Sequence, residues 1–307
     1  MKKSFLAVIL MSLFIVGGCS TSNSNALSTT GQRVAQIAKE PEKQFLQVIY
    51  TKDIGQVDFN QYLKSLGVID TQVKQVQVET KYNQINKNTL DALRKTKLTD
   101  PEVKVYLDSL IHLAQLSEEI SSYQAQLASE YRENKKLSSQ SKAKLDSLSK
   151  QVQLAYTSAM EKEVLLTQKY ANETTGALKD FMYIQSVLNN ELVEVSVLQQ
   201  KLLSDPLIKN EAQFNKKATP GLVAANNNII NSLRVINSSD VSVNAYLNKL
   251  IESYQVKLQM IKKKDKIIAE QKKGQVSRAN VDLINRYQEL DYMITQMRME
   301  LIKQFMN

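Results

Sequence analysis

Few side chains in this sequence have the type and spacing that chemistry requires. His112 is the only histidine among 307 residues, and Asp108 precedes it by about one helical turn, on the same face of a helix. A zinc site takes three or four protein ligands, and there is neither a second histidine nor a second cysteine to complete one. His112 therefore reads as a packed or surface residue. Glu191 and Glu194 stand three apart, as glutamates do in carboxylate di-metal bundles, but those bundles also use Glu-x-x-His pairs, and the chain contains none. These glutamates read as solvated charges, as do Glu118, Glu119, Glu161 and Glu163. No Gly-x-Ser-x-Gly elbow is present to make a serine nucleophilic, and no glycine loop is present to cradle phosphate or a dinucleotide. The sequence predicts no catalytic residue, no metal, no cofactor and no enzyme.

The best candidate contact surface is basic. Lys262, Lys263, Lys264, Lys266, Lys272, Lys273 and Arg278 face only two acidic residues between positions 260 and 278, a local charge of +5. Such a run suits anionic lipid, a wall polymer or an acidic protein, and serves equally well as a solvated helix face. Thirteen tyrosines, among them Tyr106, Tyr123, Tyr131, Tyr254 and Tyr287, fall on or beside apolar stripes. They read as helix packing with hydroxyls at the rim.

The N-terminus says more about place than the body says about chemistry. Lys2 and Lys3 precede an apolar run of twelve residues, Phe5 to Val16, well short of the roughly 20 needed to span a bilayer. Small residues then lead to Cys19, which has the form of a removable export signal. Val16-Gly17-Gly18-Cys19 resembles the lipobox of bacterial lipoprotein precursors. The resemblance implies cleavage before Cys19, diacylglycerol on its sulfur and an N-acyl chain on the new terminus. Two or more acyl chains give the stable anchoring that one cannot. It also implies a location outside the cytoplasm: the outer face of the cytoplasmic membrane, or the outer membrane of a two-membrane cell. The mature body carries no cysteine, which suits an oxidising compartment.

The rest of the chain must supply scaffold. Only eight glycines and four prolines are present, and the net charge of +9 falls to +7 once Lys2 and Lys3 are removed. This composition points to long helices and short connections. Residues 19–31 read as a lipidated cysteine and a polar tether, and 32–57 as short helical pieces around Pro41, with a break at Gly55. Helical periodicity follows over 58–96, then from Thr99 with an apolar stripe reaching Tyr131, and over 139–173, the last with a seam of threes and fours interrupted at Lys162. Further segments are expected at 177–205, a short 207–217, 221–236 and 240–273, and a last one from Ser277 with a stripe reaching Phe305. Thr99-Asp100-Pro101-Glu102 fits a capping box with proline in the first turn. Lys272-Lys273-Gly274 fits a helix end with cations followed by a left-handed glycine. The expected fold is all-α: an elongated bundle of long antiparallel helices with coiled-coil-like packing.

A shift of 140 residues brings Leu93-Arg94 onto Leu233-Arg234, Asp100 onto Asp240, Val103 onto Val243, Tyr106-Leu107 onto Tyr246-Leu247 and Leu110-Ile111 onto Leu250-Ile251. Apolar period alone does not align Arg94 with Arg234 and Asp100 with Asp240. The chain reads as two tandem three-helix repeats, 58–173 and 219–307, joined by a linker helix region at 174–218. Two helical hairpins obeying the same capping rules are the alternative. The functional expectation is a non-catalytic, lipid-anchored envelope protein that binds another envelope protein or assembly, alone or as an oligomer. Binding to the cell wall or to an anionic surface polymer is the alternative, with a membrane-active helical protein third. Nucleic acid is not an expected partner outside the cell.

Overall fold

Helix caps, more than any apolar pattern, set where this chain turns. A computed structural model describes residues 40–73, 75–134, 137–205, 208 and 211–307. The leader, Cys19, the tether and residues 32–39 lie outside the described residues. Within them the chain forms eight helices: α1 (Pro41–Val73), α2 (Gln75–Lys95), α3 (Pro101–Asn134), α4 (Ser139–Glu173), α5 (Gly176–Ser204), α6 (Glu211–Arg234), α7 (Val241–Lys272) and α8 (Arg278–Met306). No strand occurs among the described residues. None of these helices is long and apolar enough to cross a membrane.

Each helix packs against the next in the chain, and α8 packs back on α1, so the eight form a closed series; α3 also reaches α1, and α7 reaches α5. Contacts between neighbours are antiparallel. The principal core draws buried residues from all eight helices, including Phe45, Leu93, Tyr106, Tyr170, Phe181, Leu233, Tyr246 and Leu301. Two smaller clusters sit further along the helices. Ile120, Leu127, Leu145 and Leu148 join α3 to α4. Leu202, Ile208, Phe214, Ala218 and Leu222 join α5 to α6.

Three expectations about the elements need correction. First, no break falls at Gly55: α1 runs through it to Val73. Gly55 lies against α2, where a Cβ would collide with the Thr89 hydroxyl, so its role is close helix approach. Second, Pro220 does not separate two helices but lies inside α6. An interior proline removes one hydrogen bond and disfavours the preceding turn. Burial of Phe214 and Ala218 before it and Leu222 after it, in one cluster, holds the two sides in line. Third, the first cap of α3 is not a reciprocal Thr99–Glu102 box. Asp100 is the cap, its Oδ1 accepting from the Glu102 and Val103 amides at 3.0 and 2.9 Å. Glu102 instead pairs with Lys169 at 2.6 Å, and the Thr99 hydroxyl accepts from Gln44. The glycine end of α7 is as expected: Gly274 has φ 67°, and the Gln275 amide bonds to the Glu270 carbonyl.

The turns α2–α3 and α6–α7 share their bonds at a spacing of 140 residues. Thr96 N bonds to Leu93 O, and Ile236 N to Leu233 O. Asp240 Oδ1 accepts from the Ser242 and Val243 amides, both at 2.9 Å, as Asp100 does at α3. Asn86 donates to the Ala114 carbonyl, and Asn226 to the Tyr254 carbonyl. Each turn is also held from a neighbouring helix. Gln44 Oε1 accepts from the Thr99 and Asp100 amides, and Asp180 accepts from the Ser238 hydroxyl. The next residues, Phe45 and Phe181, lie 5.6 and 5.9 Å from the rings of Tyr106 and Tyr246.

Because each carboxylate satisfies two otherwise orphaned amides, Asp100→Ala and Asp240→Ala should each lower unfolding free energy by about 1 kcal/mol. Urea denaturation measures this. A loss confined to one of the two variants would contradict the equivalence of the caps.

Candidate functional site

Two buried polar clusters stand out in the interior. In the first, Glu163 of α4 has no solvent exposure. Its Oε2 accepts from the Tyr106 hydroxyl of α3 at 2.6 Å and from Lys52 Nζ of α1 at 2.7 Å. Arg298 of α8 lies between Glu163 Oε1 at 3.7 Å and Asp53 Oδ2 at 3.3 Å. Burial alone would raise the Glu163 carboxyl, but the charges of Lys52 and Arg298, with hydrogen bonds from Lys52 and Tyr106, bring it below its ordinary range. Asp53 shares the same guanidinium without a second strong donor, and burial pushes it up. Burial and the neighbouring carboxylate push the Tyr106 hydroxyl far up. Tyr106 and Lys52 satisfy Glu163 Oε2, while Glu163 Oε1, Asp53 Oδ2 and the Arg298 Nε and Nη2 atoms are buried and face one another as ion pairs without a hydrogen bond.

The second cluster opens into a small cleft between α4, α5, α6 and α7, lined among others by Gln153, Tyr156, Glu191, Ser196, Tyr254 and Lys257. Burial, reinforced by Glu194 against the opposing charge of Lys257, pushes Glu191 up to about 8. Burial likewise lifts Asp291 of α8 to about 7 against the pull of Lys257, and lowers Lys257 in spite of both carboxylates. The Lys257 ammonium also sits 5.0 Å from the centre of the Tyr254 ring. On the opposite wall Gln153 donates to Ser196 at 2.7 Å, Ser196 and Thr157 hydroxyls are 3.1 Å apart, and Gln200 donates to Thr157 at 3.0 Å. A carboxyl that is neutral near pH 7 is what a general acid requires. Here, however, the surrounding amides and hydroxyls bond largely to one another, while Gln153 Oε1 and Asp291 Oδ2 are buried without a hydrogen-bond partner.

Glu163 and Glu191 are thus not the solvated charges expected of them. Both were legible as members of buried stripes. A step of four from Ala159 lands on Glu163 before Leu166 and Tyr170, and Ile184, Leu188, Glu191 and Val195 step by four, three and four. Glu161 and Glu194 are exposed, as is Glu119, and Glu118 is half-buried. The hydroxyls of Tyr106 and Tyr246 lie in the core, not at its rim; Tyr246 accepts from Gln185 at 3.0 Å. His112 and Asp108 are exposed on α3, and the described residues contain no group of three or more metal-ligating side chains.

The basic run lies around the α7–α8 turn and is divided there. Lys264 donates to Asn215 at 2.7 Å, and Lys266 lies 3.9 Å from Glu270. Lys262, Lys263, Lys273 and Arg278 are exposed, while Lys272 closes α7. Arg94, Asp100, Arg234 and Asp240 flank the α2–α3 and α6–α7 turns, with the two arginines exposed. Cys19 is outside the described residues. Comparison with known proteins gives no match to a family model, a curated protein or a solved structure.

A carboxyl raised by folding stabilises the native state below its unfolded pKa, and that stability is lost as pH rises through the folded value. Glu191 and Asp291 should therefore make the protein less stable between pH 5 and pH 8, facing Glu194, Lys257, Tyr254 and Tyr287. Each fully shifted group contributes at most about 1.4 kcal/mol per pH unit. Glu191→Gln should flatten this decline in urea unfolding, and an unchanged slope would contradict the assignment. Glu163 acts with the opposite sign, losing its contribution only as pH falls below the ordinary carboxylate range.

Proposed function

We propose that this protein is a non-catalytic lipoprotein, anchored outside the cytoplasm through acylated Cys19, whose helical body binds another envelope protein. The anchor rests on the lipobox resemblance, with the diacylglycerol and N-acyl chains that it implies and no other cofactor. The body is best read as two copies of one four-helix unit, α1–α4 and α5–α8. This replaces a three-helix repeat with a linker, because α5 supplies Asp180 and Phe181 where α1 supplies Gln44 and Phe45. The body's coiled-coil-like packing lies between α3 and α4 in this reading, supported by the steps of three and four through Leu145, Leu148, Val152, Ala155 and Ala159.

The observation that carries the binding role is an outward apolar surface on α4 and α5. Leu154 and Leu165 are each 65% exposed, Tyr183 50% and Val197 51%. The step of eleven residues from Leu154 to Leu165 makes about three helical turns, roughly 16 Å, so both stand on one stripe. The Gln153–Ser196 bond places Leu154 and Val197 at one level of the pair. Nothing in the internal match requires this surface. Leu165 precedes the ring of Tyr170 by five residues, and five residues before the matching ring of Phe305 stands the exposed Glu300. Exposed apolar side chains grouped in this way favour a protein contact over a wall polymer. The exposed lysines near the α7–α8 turn keep the polymer reading as the alternative.

Crosslinking in intact cells should recover one envelope protein with the wild type and little of it with Leu154→Lys combined with Leu165→Lys, at equal abundance and equal acylation of Cys19. Recovery undiminished by the double substitution would overturn the assigned surface.

A further inference from the structure

The most exposed apolar side chains among the described residues lie elsewhere, at one end of the bundle. Val235 is 79% exposed and Val241 83%, on either side of the α6–α7 turn. The matching positions of the α2–α3 turn are Lys95 and Pro101, so shared turn geometry does not explain the valines. The same end of the bundle holds the α2–α3 and α4–α5 turns, the C-terminus of α8 and the start of α1. Gln44 of α1 grips the α2–α3 turn, Asp180 of α5 grips the α6–α7 turn, and Phe181 meets Phe305 at 5.5 Å. The twenty residues 20–39 connect Cys19 to Glu40, which is at this end too. The α7–α8 turn, with its basic run, lies at the other end of a helix of 32 residues, about 48 Å away.

Exposed cations stand beside the valines at this end. Lys95, Lys97 and Arg234 are exposed. Of the nearby carboxylates, Asp100, Asp240 and Asp180 keep their charge but are half-buried and bonded within the turns, and the exposed Glu102 and Glu40 pair with Lys169 and Lys43. Glu173 remains exposed. Apolar tips beside free cations match the layering of an anionic bilayer, where methyl groups enter the headgroup boundary and cations meet phosphate.

We propose that this end is a membrane-facing surface, with Val235 and Val241 entering the headgroup layer of an anionic bilayer and Lys95, Lys97 and Arg234 contacting its phosphates. This rests on the reading of Cys19 as the anchor: a tether of about 70 Å at full extension permits the body to stand off, and the proposed contact seats it upright instead. The α4–α5 surface then faces sideways, open to a partner.

The test attaches an environment-sensitive fluorophore to Val235→Cys, and separately to Lys273→Cys at the far end, in the acylated full-length mature protein. The protein is reconstituted in vesicles of phosphatidylglycerol and phosphatidylcholine. A blue shift at position 235, absent at position 273, reduced by salt and lost in phosphatidylcholine alone, is the expected result. No shift at 235, an equal shift at both sites, or a shift at 235 already present without vesicles, as self-association would give, overturns the proposal. Intact mass of the same preparation reads the acylation of Cys19 independently. If Cys19 carries no lipid, the anchor reading fails by itself. The labelled chain added to phosphatidylglycerol vesicles then still decides whether the valine-bearing end binds them.

Discussion

A carboxylate removed from water must be matched where it lies, and Glu163 is matched by three other helices. Its partners come from α1, α3 and α8, so the pairing ties the last helix of the chain to the first and both to the middle. Removing one member of a buried ion pair costs about 3–5 kcal/mol because the remaining charge is left uncompensated. That penalty makes the cluster a specifying feature of the packing: a shifted α8 or α1 would strand Glu163, Asp53 or Arg298 without a partner. Apolar contacts alone, being non-directional, would tolerate such a shift more readily.

Around this knot the two halves of the chain solve the same problems by the same means. Each caps its central turn with an aspartate, closes that turn with a side chain from a neighbouring helix and stacks a phenylalanine on a buried tyrosine. They differ at the centre. Glu163 precedes Tyr170 by seven residues, Arg298 precedes Phe305 by seven, and these two opposite charges lie 3.7 Å apart. They differ again outside, where one half exposes leucines on α4 and the other valines beside the α6–α7 turn. The interior charges of the first cluster are paired with one another across helices. The exposed leucines and valines are the surface features on which the proposed binding role rests.

Most of the all-helical fold was legible because it rests on local rules. Stripes at threes and fours, the aspartate caps and the left-handed Gly274 depend on neighbours in sequence, and these elements lie where periodicity places them. The errors came where distant packing overrode a local signal. Pro220 and Gly55 punctuate a chain in isolation, yet tertiary burial on both sides of Pro220 and the close approach of α2 to Gly55 carry their helices straight through. The candidate site was read least well for a related reason. A glutamate in a sequence is by default a solvated charge, and only the convergence of Lys52, Tyr106 and Arg298, from three separate helices, gives Glu163 a reason to be buried. Glu191 and Lys257 are a similar case, since 66 positions separate them in the chain.

The central claim is that α8 is locked to the rest of the bundle through the charge pairing of Arg298 with Glu163. A double-mutant cycle with Glu163→Gln and Arg298→Met, read by urea denaturation at pH 7, tests it directly. The pairing predicts that the two losses are far from additive, with a coupling of about 1–3 kcal/mol, because the second substitution removes a partner already lost. Losses that add to within about 0.5 kcal/mol would mean that the two side chains do not act on each other, and the claim would fail.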